Sequence, residues 1–268
     1  MSAGDTRAVS VSAGALILAG RVLMNYRNSP GLFAVTLAAP LGMMLLFGFV
    51  FGGALADGGE AAAYRAYLMP GVLVLVASMA LTSTASTTNA DLHSGLTDRL
   101  RALPLPSAAA PAGFALAETV VGILALALMT GAGYGLGWRI DAGPGAVATA
   151  IALLIAFRCA LSWLGIALGA AVRDEQMLQQ TAPLIFGALM FSNVFVPTST
   201  MPPVVATIAE WNPVSALVAA LRGLLGTDLS GAAGPAWPVQ HPVAATTAWL
   251  AILFAVAVPI AIRRYASD

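Results

Sequence analysis

Long apolar runs separated by short polar connections dominate the hydrophobic pattern of this chain. A helix needs about 20 apolar residues to cross the roughly 30 Å of hydrocarbon in a bilayer. Runs of that order lie at 31–55, 67–88, 108–136, 146–171, 177–196 and 243–262. Because a bilayer core offers no water to unpaired backbone groups, such runs span it as helices. The pattern therefore predicts an all-α membrane protein with six transmembrane helices and both termini on one side.

A shorter segment, 11–28, precedes the first long run and is apolar mainly at its centre, where Arg21 interrupts it. Asn28 and Pro30 are typical of the end of such a helix. We expect an amphipathic helix on the cytoplasmic membrane surface, with Arg21 and Arg27 extending towards lipid headgroups. A cleaved signal peptide is the alternative, but the run is short and no small-residue cleavage motif precedes Arg21.

A small charged stretch, 97–106, lies between the second and third runs. In a helix here, one face would carry Leu96, Leu100 and Leu103. The charged residues Asp98, Arg99 and Arg101 would lie on the other faces. Pro104 and Pro106 end this helix, because proline lacks the backbone N–H. At about eight residues, or about 12 Å, it is too short to cross a bilayer. It is predicted to contact a partner or the membrane surface.

The segment before the last run, 197–242, is the longest connection and predicts a pair of short helices. Met201 and the two prolines after it mark the start of the first helix. Asn212 followed by Pro213 is typical of an N-cap and a first helical residue, and Gly226 of a helix stop. The second helix is apolar on most sides and too short to cross, so it either dips into the outer leaflet or packs on the bundle.

Composition supports a membrane protein, and the arginines predict its orientation. Charged residues make up 9% of the chain, against about 25% in soluble domains, and the mean hydropathy is +0.86. With the N-terminus inside, the cytoplasmic arginines are Arg7, Arg21, Arg27, Arg99, Arg101, Arg173, Arg263 and Arg264, and the outer ones are Arg65, Arg139 and Arg222. Since cytoplasmic loops carry the excess of basic residues, both termini are predicted to be cytoplasmic.

The residue inventory argues against an enzyme. The chain has arginines but no lysine among its twelve basic residues, so it contains neither a phosphate-loop lysine nor a Schiff-base lysine. If ATP drives this protein, ATP and magnesium bind to another subunit. His93 and His241 are predicted on opposite sides of the membrane and Cys159 is the single cysteine, so no metal site is expected. A net charge of zero argues against nucleic acid as a partner.

Polar residues inside the predicted spans are the candidates for a transport path. Glu118 lies in the inner half of the third span and Arg158 near the middle of the fourth. Such residues are costly in hydrocarbon and face a bundle interior. Their depths differ by about six residues, or about 9 Å, which predicts no direct ion pair unless the arginine leans inward. They serve either to hold the bundle together, which is favoured, or to line the substrate path.

Small and hydroxylated residues also recur along the predicted helices. Thr82 and Ser86 belong to a run of hydroxyls at 78–88, which either bond between helices, the favoured interpretation, or line a polar path. Glycines four residues apart allow helices to approach closely. They are Gly48 and Gly52, Gly131 and Gly135, Gly133 and Gly137, and Gly165 and Gly169. Packing within one subunit is favoured over a dimer seam.

Several segments together resemble the permeases of type-2 ATP-binding-cassette transporters, particularly the daunorubicin-resistance-like drug exporters. They are, in chain order, RNSPGLFAVTLAAPLGMMLLFGFVFGGAL at 27–55, TDRLRALPLP at 97–106, LSWLGIALGAAVRD at 161–174, FSNVFVPTSTMPP at 191–203 and EWNPVSALVAALRGLLG at 210–226. These segments extend over most of the chain, from residue 27 to residue 226, and occur in the order and at the spacing of that family.

The resemblance implies a single transmembrane domain over 1–268, with an interfacial helix in 1–30, a six-span bundle in 31–262 and a re-entrant outer helical pair in 197–242. It implies a dimer with a second permease copy or a paralogue, bound to a cytoplasmic ATPase, in the inner membrane of a bacterium. The residues that this resemblance places in contact with the ATPase are Leu96, Asp98, Arg99, Leu100, Arg101 and Leu103 in a coupling helix, and Arg173, Asp174 and Glu175 in a second inner contact.

The expected function is export of an amphiphilic small molecule or a lipid, powered by the separate ATPase. Export of a polysaccharide or glycolipid is an alternative, although aromatics make up 7% of the chain and a sugar channel needs many of them. A stand-alone ion-coupled carrier or a scaffold is a further alternative. A carrier is expected to have more intramembrane carboxylates than Glu118.

Overall fold

The computed structural model describes residues 10–47, 60–94, 106, 108–172, 174–227, 234 and 236–267, and the regular elements within them are helical. The α-helices are α1 Val11–Asn28, α2 Pro30–Leu45, α3 Glu60–His93, α4 Ala109–Gly135, α5 Pro144–Ala171, α6 Glu175–Met190, α7 Pro203–Trp211, α8 Pro213–Leu224, α9 Trp237–Gln240 and α10 Pro242–Ser267. The prediction of an all-α protein is confirmed for this part of the chain.

Four of these helices, α3, α4, α5 and α10, are long and apolar enough to cross a membrane. A fifth crossing is added if the α7–α8 pair, bent by 75°, is counted as one broken span. These counts refer to the described residues, and they do not test whether the protein has six spans. The last third of the first predicted run, from Gly48 onwards, lies outside the described residues, as do the glycines at 48 and 52.

The predicted fifth span, 177–196, is shorter than expected. Helix α6 ends at Met190, six residues early, and the chain then turns through a series of bends. Tertiary hydrogen bonds hold that turn: the backbone N–H of Asn193 donates to Ser215 Oγ at 3.0 Å, and the hydroxyl of Tyr67 donates to the carbonyl of Asn193 at 3.0 Å. The apolar run continues through these residues, but its backbone groups bond to other helices.

Helix α3 is the centre of the bundle and packs along α5, which in turn packs against α10. Two glycines of α5 make the first contact close, as predicted for packing within one subunit. A Cβ at Gly165 would overlap Thr84 and the carbonyl of Leu81, and a Cβ at Gly169 would overlap the carbonyl of Ala85. In contrast, Gly131 and Gly135 have no such neighbours on their helix.

The two ends of the bundle can be named from the residues found there. The Asn89 end is where α3 and α5 finish and α4 begins; the Trp138 end is where α4 finishes and α5 begins. Helix α1 packs against α4 at the Asn89 end, burying Leu18 and Val22 while Leu16, Ile17 and Met24 stay exposed. Helix α1 therefore packs one face on the bundle and leaves apolar side chains exposed on another.

The predicted pair of short helices in 197–242 is present, and it lies at the Trp138 end. The side-chain oxygen of Asn212 accepts from the backbone N–H of Val214 at 2.9 Å, and Pro213 is the first residue of α8. Gly226 follows the helix with a φ of +81°, a conformation that favours glycine. Helix α8 is buried between α3, α5 and α10, so of the two predicted placements it packs on the bundle.

Candidate functional site

Glu118 on α4 and Arg158 on α5 are buried in the bundle, with residue exposures of 2% and 5%. Arg158 Nη2 lies 3.3 Å from Glu118 Oε2. The same guanidinium donates from Nε to the backbone carbonyl of Glu118 at 2.9 Å and from Nη1 to the carbonyl of Val76 at 3.1 Å. The two charges therefore form an ion pair, which was expected from the sequence only for an arginine that leans inward.

Gly122 explains how the arginine reaches that far. A Cβ at this position would overlap Nε, Cδ and Cζ of Arg158. The side chain thus lies across the bare backbone of Gly122, one helical turn from Glu118, and extends along α4 rather than straight across to it. The length of the arginine side chain makes up the difference in depth between the two residues. Arg158 is thus the inward-leaning arginine for which the sequence allowed an ion pair.

The second carboxylate oxygen of Glu118 binds two hydroxyls. Tyr26 of α1 donates to Oε1 at 2.7 Å, and Ser83 of α3 donates to the same atom at 3.1 Å. Burial, and after it the negative charge of Glu118, raise the pKa of Tyr26 to about 12. The phenol therefore stays protonated and available as a donor. Tyr26, Ser83, Glu118 and Arg158, the polar junction below, join α1, α3, α4 and α5.

Every charged group of the polar junction has a hydrogen-bond or ion-pair partner. This complete pairing limits the functions that the junction can have. A buried charge is tolerated when it is paired and hydrogen-bonded, and losing one partner leaves the other uncompensated. A carboxylate held by two hydroxyls and a guanidinium is poorly suited to binding and releasing an ion. The geometry therefore favours a role in holding four helices together, the bundle-holding alternative of the sequence analysis.

Two predicted polar residues of α3 are not part of the junction. Thr82 donates to the carbonyl of Met79 in its own helix at 3.2 Å, and Ser86 is exposed on the helix surface. Ser83, their neighbour, is the hydroxyl that contacts Glu118. Nothing in the run of serines and threonines distinguishes it, since the choice depends on which face of α3 meets α4. Tyr26 was also missed, because α1 was expected to face lipid headgroups.

Arg222 on α8 forms a second buried cationic contact, at the Trp138 end, where it is 1% exposed. It donates from Nε to the carbonyl of Tyr67 at 2.9 Å and from Nη2 to the carbonyl of Val194 at 3.0 Å. Its Cζ also lies 3.4 Å from the centroid of the Tyr67 ring. These contacts fix α8 to α3 and to the turn after α6.

Two apolar cavities open on the sides of the bundle. One, of about 360 Å³, lies beside Trp138 between α4 and α5. The other, of about 720 Å³, lies between α5, α6 and the α7–α8 turn, with the aromatic side chains of Phe157, Phe191 and Trp211 in its wall. Both are lined almost entirely by apolar side chains, which suits hydrocarbon rather than sugar or ions.

The predicted contacts with an ATPase lie largely outside the described residues. Those outside are Leu96, Asp98, Arg99, Leu100, Arg101, Leu103 and Arg173. The backbone of Glu175 begins α6, but its side chain is not described. The carboxylate of Asp174 accepts from the backbone N–H of Gln176 at 2.8 Å and caps α6, so one of the nine candidate residues has a visible structural role at the Asn89 end.

A hydrogen-bonded connection joins the two helix ends from which those contact segments leave. Asn89 on α3 donates its side-chain amide to the carbonyl of Gly169 at 3.2 Å and to that of Val172. Nearby, Arg21 of α1 lies 3.4 Å from Asp91 Oδ2, so this arginine has a protein partner as well as exposure to its surroundings. Within the described ranges, no group of three His, Cys, Asp or Glu residues is placed to hold a metal ion.

Comparisons with known proteins agree with these features. The family model for the ABC-2 type transporter matches residues 14–225. The chain is 34% identical over 268 residues to the daunorubicin resistance ABC transporter permease protein DrrB1 of Streptomyces coeruleorubidus, covering 99% of this chain and 90% of that protein. The resemblance to this family in the sequence analysis is confirmed.

Proposed function

The chain belongs to the ABC-2 type transporter family and is a multi-pass membrane permease, and we propose that it forms the membrane path of an ATP-driven exporter. The proposed cargo is an amphiphilic drug or lipid that leaves the cell. The similarity over nearly the whole chain to a drug-resistance permease carries the proposal. The family also implies an ATP-binding subunit as the partner that hydrolyses ATP, so ATP and magnesium are proposed to bind there.

The proposed topology has six spans with both termini cytoplasmic in a bacterial inner membrane. In it, the Asn89 end faces the cytoplasm and the α7–α8 pair faces outward. The described helices support this arrangement because α3 and α5 both finish, and α10 approaches its C-terminus, at the end where α4 begins. Arg21 contacts Asp91 at the Asn89 end, and Arg263 lies near the C-terminus of α10 at the same end, as the excess of cytoplasmic basic residues requires.

The proposed ATPase contact consists of the 97–106 coupling helix together with Arg173, Asp174 and Glu175. The first segment leaves from α3 and the second from α5, and Asn89 joins the ends of these two helices. A push on either segment is therefore transmitted to the same pair of packed helices. Such movement of packed helices is one of the known forms of transport-linked rearrangement.

The chemistry of the larger cavity supports the proposed cargo. Its wall contains Leu161, Leu189 and Leu253 besides the three aromatic side chains, and Ser78 and Asn212 are its polar lining residues. An apolar pocket with few polar groups suits the hydrophobic part of an amphiphile. Pairing with a second permease, identical or homologous, is proposed from the family to complete the path.

The decisive experiment reverses the charge of the coupling helix. We expect Arg99→Glu combined with Arg101→Glu to abolish ATP-dependent accumulation of an amphiphilic fluorescent dye in inside-out vesicles, while the protein remains in the membrane. The cognate ATP-binding subunit should co-purify with the unmodified chain and be lost from this variant. The matched control is Arg7→Glu combined with Arg263→Glu, which makes the same change of charge on the same proposed side.

Normal transport and normal co-purification in the coupling-helix variant would contradict the assignment of 97–106. Accumulation that persists without ATP but collapses with the proton gradient would instead support an ion-coupled carrier.

A further inference from the structure

The apolar cavity beside Trp138 is open to the surroundings of the bundle and has an exposed arginine next to it, a combination that drug export does not require. We infer that it binds an acyl chain of an anionic phospholipid, and that Arg139 at its rim binds the phosphate of the same lipid. The cavity measures about 360 Å³ and is walled by α4 and α5, with Leu73 of α3 and Leu221 of α8 at its floor. Its position and lining identify the ligand.

The open side of the cavity faces the surroundings of the bundle. Ile123 of α4 and Ile151 of α5 line it and are 44% and 52% exposed. In a membrane protein this surface meets lipid. An apolar cavity that excludes water is filled by an apolar ligand if one has access, and the surrounding acyl chains have access through this opening.

Arg139 supplies the charge that selects one class of lipid. It lies between Trp138 and Ile140, both of which line the cavity. Its Nη1 donates to the carbonyls of Tyr134 and Trp138 at 2.6 and 2.8 Å, and its Cζ lies 5.4 Å from the centroid of the Tyr134 ring, so the guanidinium is fixed next to the lining residues while the side chain stays exposed. The ion pairs found among the described residues do not include it. A guanidinium fork held in this way suits a phosphate.

The aromatic residues beside Arg139 place the rim at headgroup depth. Tyr134 and Trp138 form an edge-to-face pair with centroids 5.8 Å apart, and such side chains are enriched at membrane–water boundaries. A phosphate at Arg139 therefore leaves the acyl chain to descend into the cavity, in the direction a lipid has in the bilayer.

A bound chain would also complete the packing of the outer helical pair. Leu221 and Leu225 line the cavity, and Arg222 between them holds α8 to Tyr67 on the other side. The lipid therefore fills the gap between α8 and the α4–α5 wall. The side chains that line the cavity would then make dispersion contacts that an empty cavity does not provide.

Trp138 serves as the reporter for a direct test. The full-length protein is reconstituted in phosphatidylcholine vesicles that contain increasing fractions of dibrominated phosphatidylglycerol or of dibrominated phosphatidylcholine. Quenching of Trp138 is obtained as the difference between the unmodified protein and Trp138→Phe. We expect half-maximal quenching at about a five-fold lower fraction of the anionic lipid, the effect of one favourable basic contact at a membrane surface.

Two variants separate the headgroup from the chain. Arg139→Gln should remove the preference for phosphatidylglycerol, whereas Arg263→Gln, an exposed arginine at the other end, should retain it. Ala127→Phe places a ring in the cavity and should abolish quenching by both lipids. Leu128→Phe, at an exposed position that does not line the cavity, should leave quenching unchanged.

Equal quenching by the two brominated lipids in the unmodified protein would overturn the inference, as would an unchanged preference in Arg139→Gln. Relief of quenching by an amphiphilic cationic dye at its transported concentration would assign the cavity to cargo instead. The assay needs neither ATP nor a partner, and both leaflets contain the probe. Its result is therefore independent of the proposed transport function and orientation.

Discussion

The side chain of Arg158 depends on two neighbours, the carboxylate that it pairs with and the glycine that it crosses. Its guanidinium makes bonds to Glu118 and Val76, and Glu118 is held in addition by Tyr26 and Ser83. In a medium without water these bonds replace hydration entirely. The stability of the junction is therefore a property of the set, and the effect of one substitution depends on which partners remain.

Removing one charge of the pair should cost more than removing both. Arg158→Met leaves the Glu118 carboxylate buried without its counter-ion, and we expect a loss of about 3 to 5 kcal/mol in the free energy of unfolding. Glu118→Gln should cost a similar amount because it isolates the guanidinium. Since the pair is in direct contact, the double variant should be more stable than the sum of the two losses predicts.

Unfolding in mixed detergent micelles, followed by circular dichroism, measures these differences. Arg263→Met, which removes an exposed arginine, should change stability little. Additive losses in the double variant would show that the two charges act independently.

Gly122 provides a separate test of the same geometry. Gly122→Ala puts a methyl group where the Arg158 side chain lies, so the guanidinium must move away from Glu118. We expect a loss of about 3 kcal/mol, comparable to breaking the pair. Gly131→Ala on the same helix meets no atom within 4 Å and should be neutral or slightly stabilising, because alanine favours helix.

The same unfolding assay compares these two variants. If Gly122→Ala is as stable as Gly131→Ala, the arginine does not cross α4 at this position.

Helices α3 and α5 approach each other so closely that backbone atoms are in contact, and these atoms cannot move aside as a side chain can. A Cβ at Gly169 would meet the carbonyl of Ala85, and a carbonyl in a helix cannot rotate away. Gly169→Ala should therefore push the helices apart and cost about 1 to 3 kcal/mol, as overpacking does. Gly145→Ala, in the first turn of the same helix and with open space around it, is the matched control.

Thermal unfolding of the purified protein, followed by aggregation or by tryptophan fluorescence, is a suitable measurement. A transition temperature for Gly169→Ala that equals that of Gly145→Ala would mean that the α3–α5 contact is looser than described.

Helix boundaries governed by local chemistry were predictable from the sequence. The N-cap at Asn212, the proline after it and the glycine stop at 226 are signals that act over a few residues, and each is found in the expected role. The same is true of α1, whose end at Asn28 precedes Ser29 and Pro30. These features need no knowledge of neighbouring helices.

Features that depend on neighbouring helices were missed. The apolar run through Phe191 and Val194 looked like a continuing span, but Tyr67 and Ser215 bond to the turn at Asn193 and end α6 early. The ion pair was expected only for an arginine that leans inward, because depth was counted in residues along each helix. That count ignores the reach of an arginine and the space left by Gly122.

The direction of the whole bundle in the membrane determines which end meets the ATPase, and the single cysteine of the chain makes it testable. In a Cys159→Ser background, Ser94→Cys places a thiol at the Asn89 end, and Gly143→Cys places one in the loop before α5 at the Trp138 end. Both positions are exposed, and a Cβ at Gly143 meets no atom within 4 Å, so neither substitution disturbs packing.

With the proposed orientation, a membrane-impermeant maleimide should label position 94 in inside-out vesicles but not in intact cells with a permeable outer barrier. It should label position 143 in those cells and not in sealed inside-out vesicles. The physical reason is the excess of arginines at the Asn89 end, since basic residues near span ends are retained in the cytoplasm. Labelling in the reverse pattern would place the α7–α8 pair in the cytoplasm and remove 97–106 from reach of any ATPase. Labelling of both positions from one side would instead require an even number of crossings between 94 and 143, which would contradict the single crossing formed by α4.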